Sequence, residues 1–283
     1  MSRPGGRRDD QLRKISITYE GLDRVDGSAR FSFGQTSALA SVSGPIEVRP
    51  AQENPAQATL DVQVRPVAAL PGTDAKALAT TLKGILAHSL FLARSPRTLV
   101  QIVGQALSGA ETGSGSGSAG RGWPASLTAA LVNAAAAALI NAGSVPMKGV
   151  VCAVAVGRMT GGAVLVLDPE ESELPRLAGG GCFAFLFSST LGDGKESPAV
   201  DVPPCSMLWT NFTTSAPFDV DELSRARQLA AKGAVEVWLA MKGTMGSGAG
   251  TLNDSTSTQV KEENLSQNVP SGAMEVDDDE VEI

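Results

Sequence analysis

Histidine is almost absent from this chain: His88 is the only one in 283 residues. A zinc site built on imidazoles therefore has no second ligand of that kind. A Ser-His-Asp triad would have to use His88, and no nucleophile-elbow pattern accompanies it. Cysteine is scarce too. Cys152, Cys182 and Cys205 are odd in number and lack Cys-x-x-Cys spacing, which reads as reduced, mostly buried thiols rather than a disulfide framework or a metal knuckle. Aromatic residues make up only 4 %, so the core must come from Ala, Val, Leu and Ile, which allow close helix–sheet approach but bury less area each. Long apolar runs are missing. The longest, Leu127 to Ile140, is interrupted by Asn133 and is short for a bilayer span, so it reads as a buried helix. The opening MSRPGGRRDDQLRK is charged and has no apolar stretch of the kind a secretory signal carries. A basic excess is also lacking. The net charge of −7 argues against a free-standing nucleic-acid binder. The acid is gathered at the C-terminal end, however. The near-neutral body before residue 260 can lend a few Arg or Lys to an RNA path shared with other chains.

What is present is a sequence of alternating and helical periods. Ile15–Tyr19, Ser28–Phe33, Ser37–Val42 and Ala58–Val64 alternate and predict strands, with turns at Asp26-Gly27, Gly34-Gln35 and Gly44-Pro45. Residues 74–92 shift to three- and four-residue spacing of Leu78, Leu82, Ile85, Leu86 and Leu90, a helix with Asp74 as its candidate N-cap. Thr98–Leu107 returns to a strand. A Gly/Ser-rich insertion at 108–121 follows. Its run Gly113 to Gly117 lacks the Lys-Ser/Thr of a phosphate loop, so it reads as a linker. An alanine-rich helix spans Pro124 to Ile140 and stops at Gly143. Strands at Lys148–Val156 and Ala163–Asp168 join around Gly161-Gly162, and two more follow at Cys182–Phe187 and Met207–Phe212. A last helix starts at a capping-box pattern, Asp219 to Glu222. It turns Leu223, Ala226, Ala230, Val237 and Met241 inward and ends at Gly243. Residues 1–14 read as a disordered basic N-terminus and 244–283 as a disordered acidic tail. Between them, 15–243 form one α+β domain with mixed sheets and three main helices.

Two groups of residues invite a functional reading. Asp168 ends an apolar strand with Glu170, Glu171 and Glu173 close behind. A lone carboxylate makes a poor metal site, and the segment reads as a solvated acidic loop. Arg94 and Arg97 flank Pro96 at the exit of the first helix. A plain surface loop and a basic lip on phosphates are both open readings there.

From Arg24 onward, the stretch RVDGSARFSFGQTSALASVSGPIEV, then SPRTLVQIV at 95–103, then the alanine-rich helix and the hairpin ending in LDP at 126–168 resemble RNase PH-type ring subunits of the eukaryotic RNA exosome. The resemblance implies an RNase PH-like fold, the ribosomal protein S5 domain 2-like α+β arrangement, whose members pair and close into a six-subunit ring. Active members cleave RNA from its 3′ end with inorganic phosphate. They hold that phosphate with a Thr-Arg pair at the start of the alanine-rich helix and use acids after the LDP strand. Here the pair falls on Leu127 and Thr128, the first acid is matched by Asp168, and the second falls near Leu174, one step from Glu173. Of the first-helix arginines only Lys76 and Lys83 could be counterparts. The expectation is a degenerate site at Leu127, Thr128 and Asp168 and a subunit without catalysis, cofactor or metal. Such a subunit would support 3′–5′ RNA processing and degradation, including rRNA maturation and mRNA turnover, in nucleus, nucleolus and cytoplasm. The implied partners are other RNase PH-type subunits, among them ribosomal RNA processing protein 43, S1/KH cap subunits, and RNA touched through Arg94 and Arg97 in the channel; no membrane is implied. The alternative, an active phosphate-dependent exoribonuclease, needs a substitute arginine such as Arg121.

Overall fold

The computed structural model describes residues 3, 6–67, 71–108, 124–161, 164–191, 202–215 and 217–248. The insertion beyond Ser108, Arg121 and the acidic tail from residue 249 lie outside them.

The first sheet is built by β1 (Ile15–Tyr19), β2 (Gly27–Phe33), β3 (Thr36–Glu47), β4 (Thr59–Arg65) and β5 (Thr98–Ala106), in the order β1-β2-β3-β5-β4. It is antiparallel except where β4 runs parallel to β5, a crossover made by α1 (Thr73–Ala87). Alternation sets its faces. Ala29, Phe31 and Phe33 of β2 and Ala38, Ala40 and Val42 of β3 point to the core, while their neighbours face outward. The strand expected to stop at Gly44-Pro45 continues to Glu47, because a register irregularity between Ser43 and Ile46 absorbs the Gly-Pro step.

The second sheet contains β6 (Val150–Met159), β7 (Leu165–Leu167), β8 (Leu177–Phe187), β9 (Cys205–Thr210) and β10 (Thr213–Thr214), with β9 and β10 both paired to β8. β6 is buried along nearly its whole length, as its unbroken apolar run requires. Two helices close over this sheet. α2 (Ala125–Ala142) lies between the sheets, against β2 and β3 on one side and β6 and β8 on the other. By length and hydropathy α2 could cross a bilayer, but protein covers it, from Ser126 to Leu139 without a gap. Its alanines make this tight fit possible. At Gly27 an added Cβ would sit 2.3 Å from the Ala142 nitrogen. Asn133, the polar interruption, uses both ends of its amide on one residue of β6. Ala153 N–H donates to Oδ1 at 2.7 Å and Nδ2 donates to Ala153 O at 2.8 Å.

α3 (Val220–Gly248) buries Ala226, Ala230, Ala234, Val237 and Met241. It runs past the expected stop at Gly243, where the helical backbone simply continues. Glu222, expected in a capping box, is buried and lies 2.8 Å from Arg158 at the end of β6. α1 starts after Gly72 rather than at an Asp74 cap. β8 starts five residues earlier than expected because Gly179, Gly180 and Gly181 are strand residues. A Cβ on them would collide with Thr213 O, Val156 O and Phe212 at 2.4, 2.7 and 2.5 Å, so glycine here permits close strand contact.

For residue 3 and residues 6–14, the described part of the first fourteen, the expectation of disorder is corrected. Arg3, Leu12 and Arg13 are buried, and the segment 6–14 is laid against the second sheet, with Leu167 N–H donating to Asp9 O at 2.7 Å.

Candidate functional site

The start of α2 meets the chain leaving β7. Asp168 turns that chain with a left-handed φ of 47°, a conformation Asp tolerates better than most residues. Ser126 Oγ then donates to Pro169 O at 2.9 Å. Between them is a cleft of about 20 Å³ lined by Thr36, Pro124, Ser126, Leu127, Pro169, Glu171 and Leu174. That is room for about one water molecule. Leu127 and Leu174 supply apolar walls, Thr128 is buried away from the lining, and none of the described lining residues is cationic. Among the described lining residues an anion placed here would find no charged partner to offset the hydration it loses.

Of the acids expected to form a solvated loop, Glu171 is exposed and Glu170 partly so, but Asp168 and Glu173 are buried. Asp168 is completely buried and gripped by Arg13: Nη2 donates to Oδ1 at 2.6 Å, Nε to Oδ2 at 2.7 Å and the backbone N–H to Oδ2 at 3.1 Å. Arg13 Nη1 also donates to Thr36 Oγ1 at 2.9 Å, beside the cleft. Glu173, equally enclosed, receives Arg3 Nε at 2.8 Å and Nη2 at 3.0 Å, and Arg7 Nη2 at 3.3 Å. It also reaches back to the Glu170 N–H at 2.8 Å in a capping box. Burial by itself would raise the Glu173 pKa. The Arg3 and Glu170 hydrogen bonds and the charges of Arg3 and Arg7 outweigh it and hold the carboxyl below its ordinary value. Arg7 is shifted down, mainly by burial and then by the neighbouring Arg3. The N-terminal arginines and the acids after β7 thus form one internal clasp.

Of Leu127, Thr128 and Asp168 only Leu127 lines the cleft, and Arg94 and Arg97 are not with it. The segment leading into Arg94 is joined to residues 146–148, just past the C-terminal end of α2, a helix about 27 Å long. The two arginines also have different surroundings. Arg97, at φ 61°, puts Nε 3.3 Å from Glu53, whereas the Arg94 guanidinium carbon lies over the Phe91 ring at 5.2 Å. His88 caps α1, with its Nδ1 2.7 Å from Gly84 O. Burial raises the thiol pKa of both Cys152 and Cys182. Among the described residues no group of three or more His, Cys, Asp or Glu could hold a metal ion. Residue-level reading of the sequence missed Arg3, Arg7 and Arg13, whose partners are 155–170 residues away and leave no local spacing to detect.

Comparison with known proteins adds to this geometry. Residues 11–144 match the RNase PH family described as "3′ exoribonuclease family, domain 1". The chain is 32 % identical over 195 residues to the rice protein "Exosome complex exonuclease RRP46 homolog", covering 69 % of this chain and 75 % of that one. It is 31 % identical over 246 residues to "Exosome complex component Rrp41" of Archaeoglobus fulgidus, covering 82 % of each. The crystal structure of rice Rrp46 superposes with a TM-score of 0.68 at 25 % identity, over 86 % of this chain and 100 % of that chain. An archaeal exosome core chain shares the fold with a TM-score of 0.61 at 17 % identity, over 85 % of this chain and 91 % of that chain. The two-sheet α+β architecture, the match to the family's first domain and the identity over most of two relatives agree: the chain belongs to the RNase PH-type 3′ exoribonuclease family that supplies these exosome components.

Proposed function

We propose that the chain is a non-catalytic subunit of an exosome core, built into a ring of RNase PH-type proteins and serving 3′–5′ RNA processing and degradation by assembly and by guiding RNA. One observation carries the loss of catalysis. Where a phosphate would be gripped, the cleft has space for about one water and no cation among its described lining residues. The adjoining acids Asp168 and Glu173 are tied up by Arg13, Arg3 and Arg7. Attack of phosphate on a phosphodiester brings anions together, and removing one charge-stabilising group of that kind costs roughly 10²–10³ in rate. Partnership with other RNase PH-type subunits, ribosomal RNA processing protein 43 among them, and with S1/KH caps belongs to the same proposal. It rests on the relatives being named exosome components.

The test is to incubate the purified full chain with 3′-end-labelled RNA and inorganic phosphate. No labelled nucleoside diphosphate is expected. Its phosphate-dependent release would show an active exoribonuclease and end the non-catalytic reading.

A further inference from the structure

A cationic feature on the opposite end of α2 is left unused by the degenerate cleft. The segment leaving α1 and the segment entering β6 are stitched antiparallel. Leu90 bridges Met147, Phe91 N–H donates to Pro146 O at 2.9 Å, and Lys148 N–H donates to Ser89 O at 2.6 Å. This fixes Phe91 as a shared, half-buried platform. The Arg94 guanidinium carbon is 5.2 Å and the Lys148 Nζ is 5.5 Å from the centroid of its ring. Both cationic side chains belong to exposed residues, and neither is in an ion pair among the described residues. Arg97, three residues from Arg94, contrasts with them because Glu53 answers its charge.

We propose that Phe91, Arg94 and Lys148 form a contact site for the phosphodiester backbone of single-stranded RNA. Two cations held at one ring with no acidic partner leave positive charge there uncompensated, and an anion bound beside the ring answers both. A phosphodiester offers two non-bridging oxygens. The planar guanidinium of Arg94 can take them as a fork and the Lys148 ammonium as a point charge. The uncovered part of the Phe91 ring adds a surface for the adjoining base. Cations interleaved with an aromatic are how sequence-tolerant single-strand binders are built. This favours a nucleic acid over an acidic peptide, which has no base to stack. The site rests on the RNA-guiding reading for its ligand and gives that reading a definite place, with Lys148 rather than Arg97 as the partner of Arg94.

The experiment is a fluorescence-anisotropy titration of labelled oligouridylate with the full-length chain at several salt concentrations. For R94E/K148E, affinity should drop and the slope of log affinity against log salt should become shallower by about 0.7, the value for the one single-strand phosphate the two cations share. F91L, which keeps an apolar side chain but removes the ring, should weaken binding roughly two- to five-fold. R97Q, which removes the charge without reversing it, should stay within about two-fold of the native chain, since Glu53 already answers Arg97. An unchanged affinity or slope in R94E/K148E, no binding by the native chain at low salt, or an oligoglutamate peptide that outcompetes RNA through the same residues each overturns the site. Matching urea unfolding curves for native and variant chains exclude misfolding. Co-assembly with other RNase PH-type subunits is scored separately. Its failure in the native chain removes the ring reading alone, whereas intact assembly with unaltered RNA binding in R94E/K148E removes this site alone.

Discussion

Arg13 occupies a position where charge is expensive to bury and easy to test. Its side chain is 8 % exposed and Asp168 is 0 % exposed, so removing either partner leaves a charge in the interior without its counter-ion. R13A is therefore expected to destabilise the fold by about 3–5 kcal/mol, read as a lower urea midpoint with an unchanged slope. A loss under 1 kcal/mol would mean the pair is open to solvent. The second half of the clasp makes a prediction about pH. Folding holds Glu173 below its ordinary value of 4.5. Its contribution is thus full above the unfolded pKa and fades as pH falls through the lower folded one. Glu236 has the opposite sign: burial, then the nearby Asp10, raises its pKa, so its contribution is full below the unfolded pKa and is lost as pH rises. E173Q should accordingly show a smaller fall in stability than the native chain between about pH 7 and about pH 3. Parallel curves would remove Glu173 from the account.

Among the elements, the order of strands and helices is legible because periods of two and of 3.6 residues separate cleanly in this chain. β2 and β6 show the two limits. Alternation in β2 marks a sheet with one wet face, and the unbroken run in β6 marks a strand covered on both faces. Illegibility has a physical pattern too. The glycines of β8 look like punctuation, yet they are strand residues chosen for the space they leave. G180A would place a Cβ 2.7 Å from Val156 O, and overpacking of this sort costs about 1–3 kcal/mol. Gly84 on α1 is the counter-case. An added Cβ meets nothing within 4 Å, so G84A should stabilise by roughly 0.5–1 kcal/mol through helix propensity. Thermal unfolding of the two variants should shift in opposite directions. A common direction would contradict the distinction drawn between the two glycines.

For the molecule as a whole, the position of Leu127 and Thr128 at the start of α2 is legible because the helix is marked by its own alanine-rich composition. What the sequence could not display is that Asp168 and Glu173 answer an arm at the other end of the domain. Nor could it display that Arg94 shares a ring with Lys148, since Phe91 and Lys148 belong to segments 57 residues apart. Pairings across such distances are products of the whole fold and have no local periodicity.

The amide of Asn133 has a consequence of its own. A rod surfaced with near-identical methyl groups can be advanced or rotated by one turn and still find much the same fit on either side. A carboxamide that matches both main-chain groups of Ala153 admits only one setting. It acts as an index mark that tells the rod where to stop, and thereby decides, almost two turns away, which side chains front the cleft at the helix start.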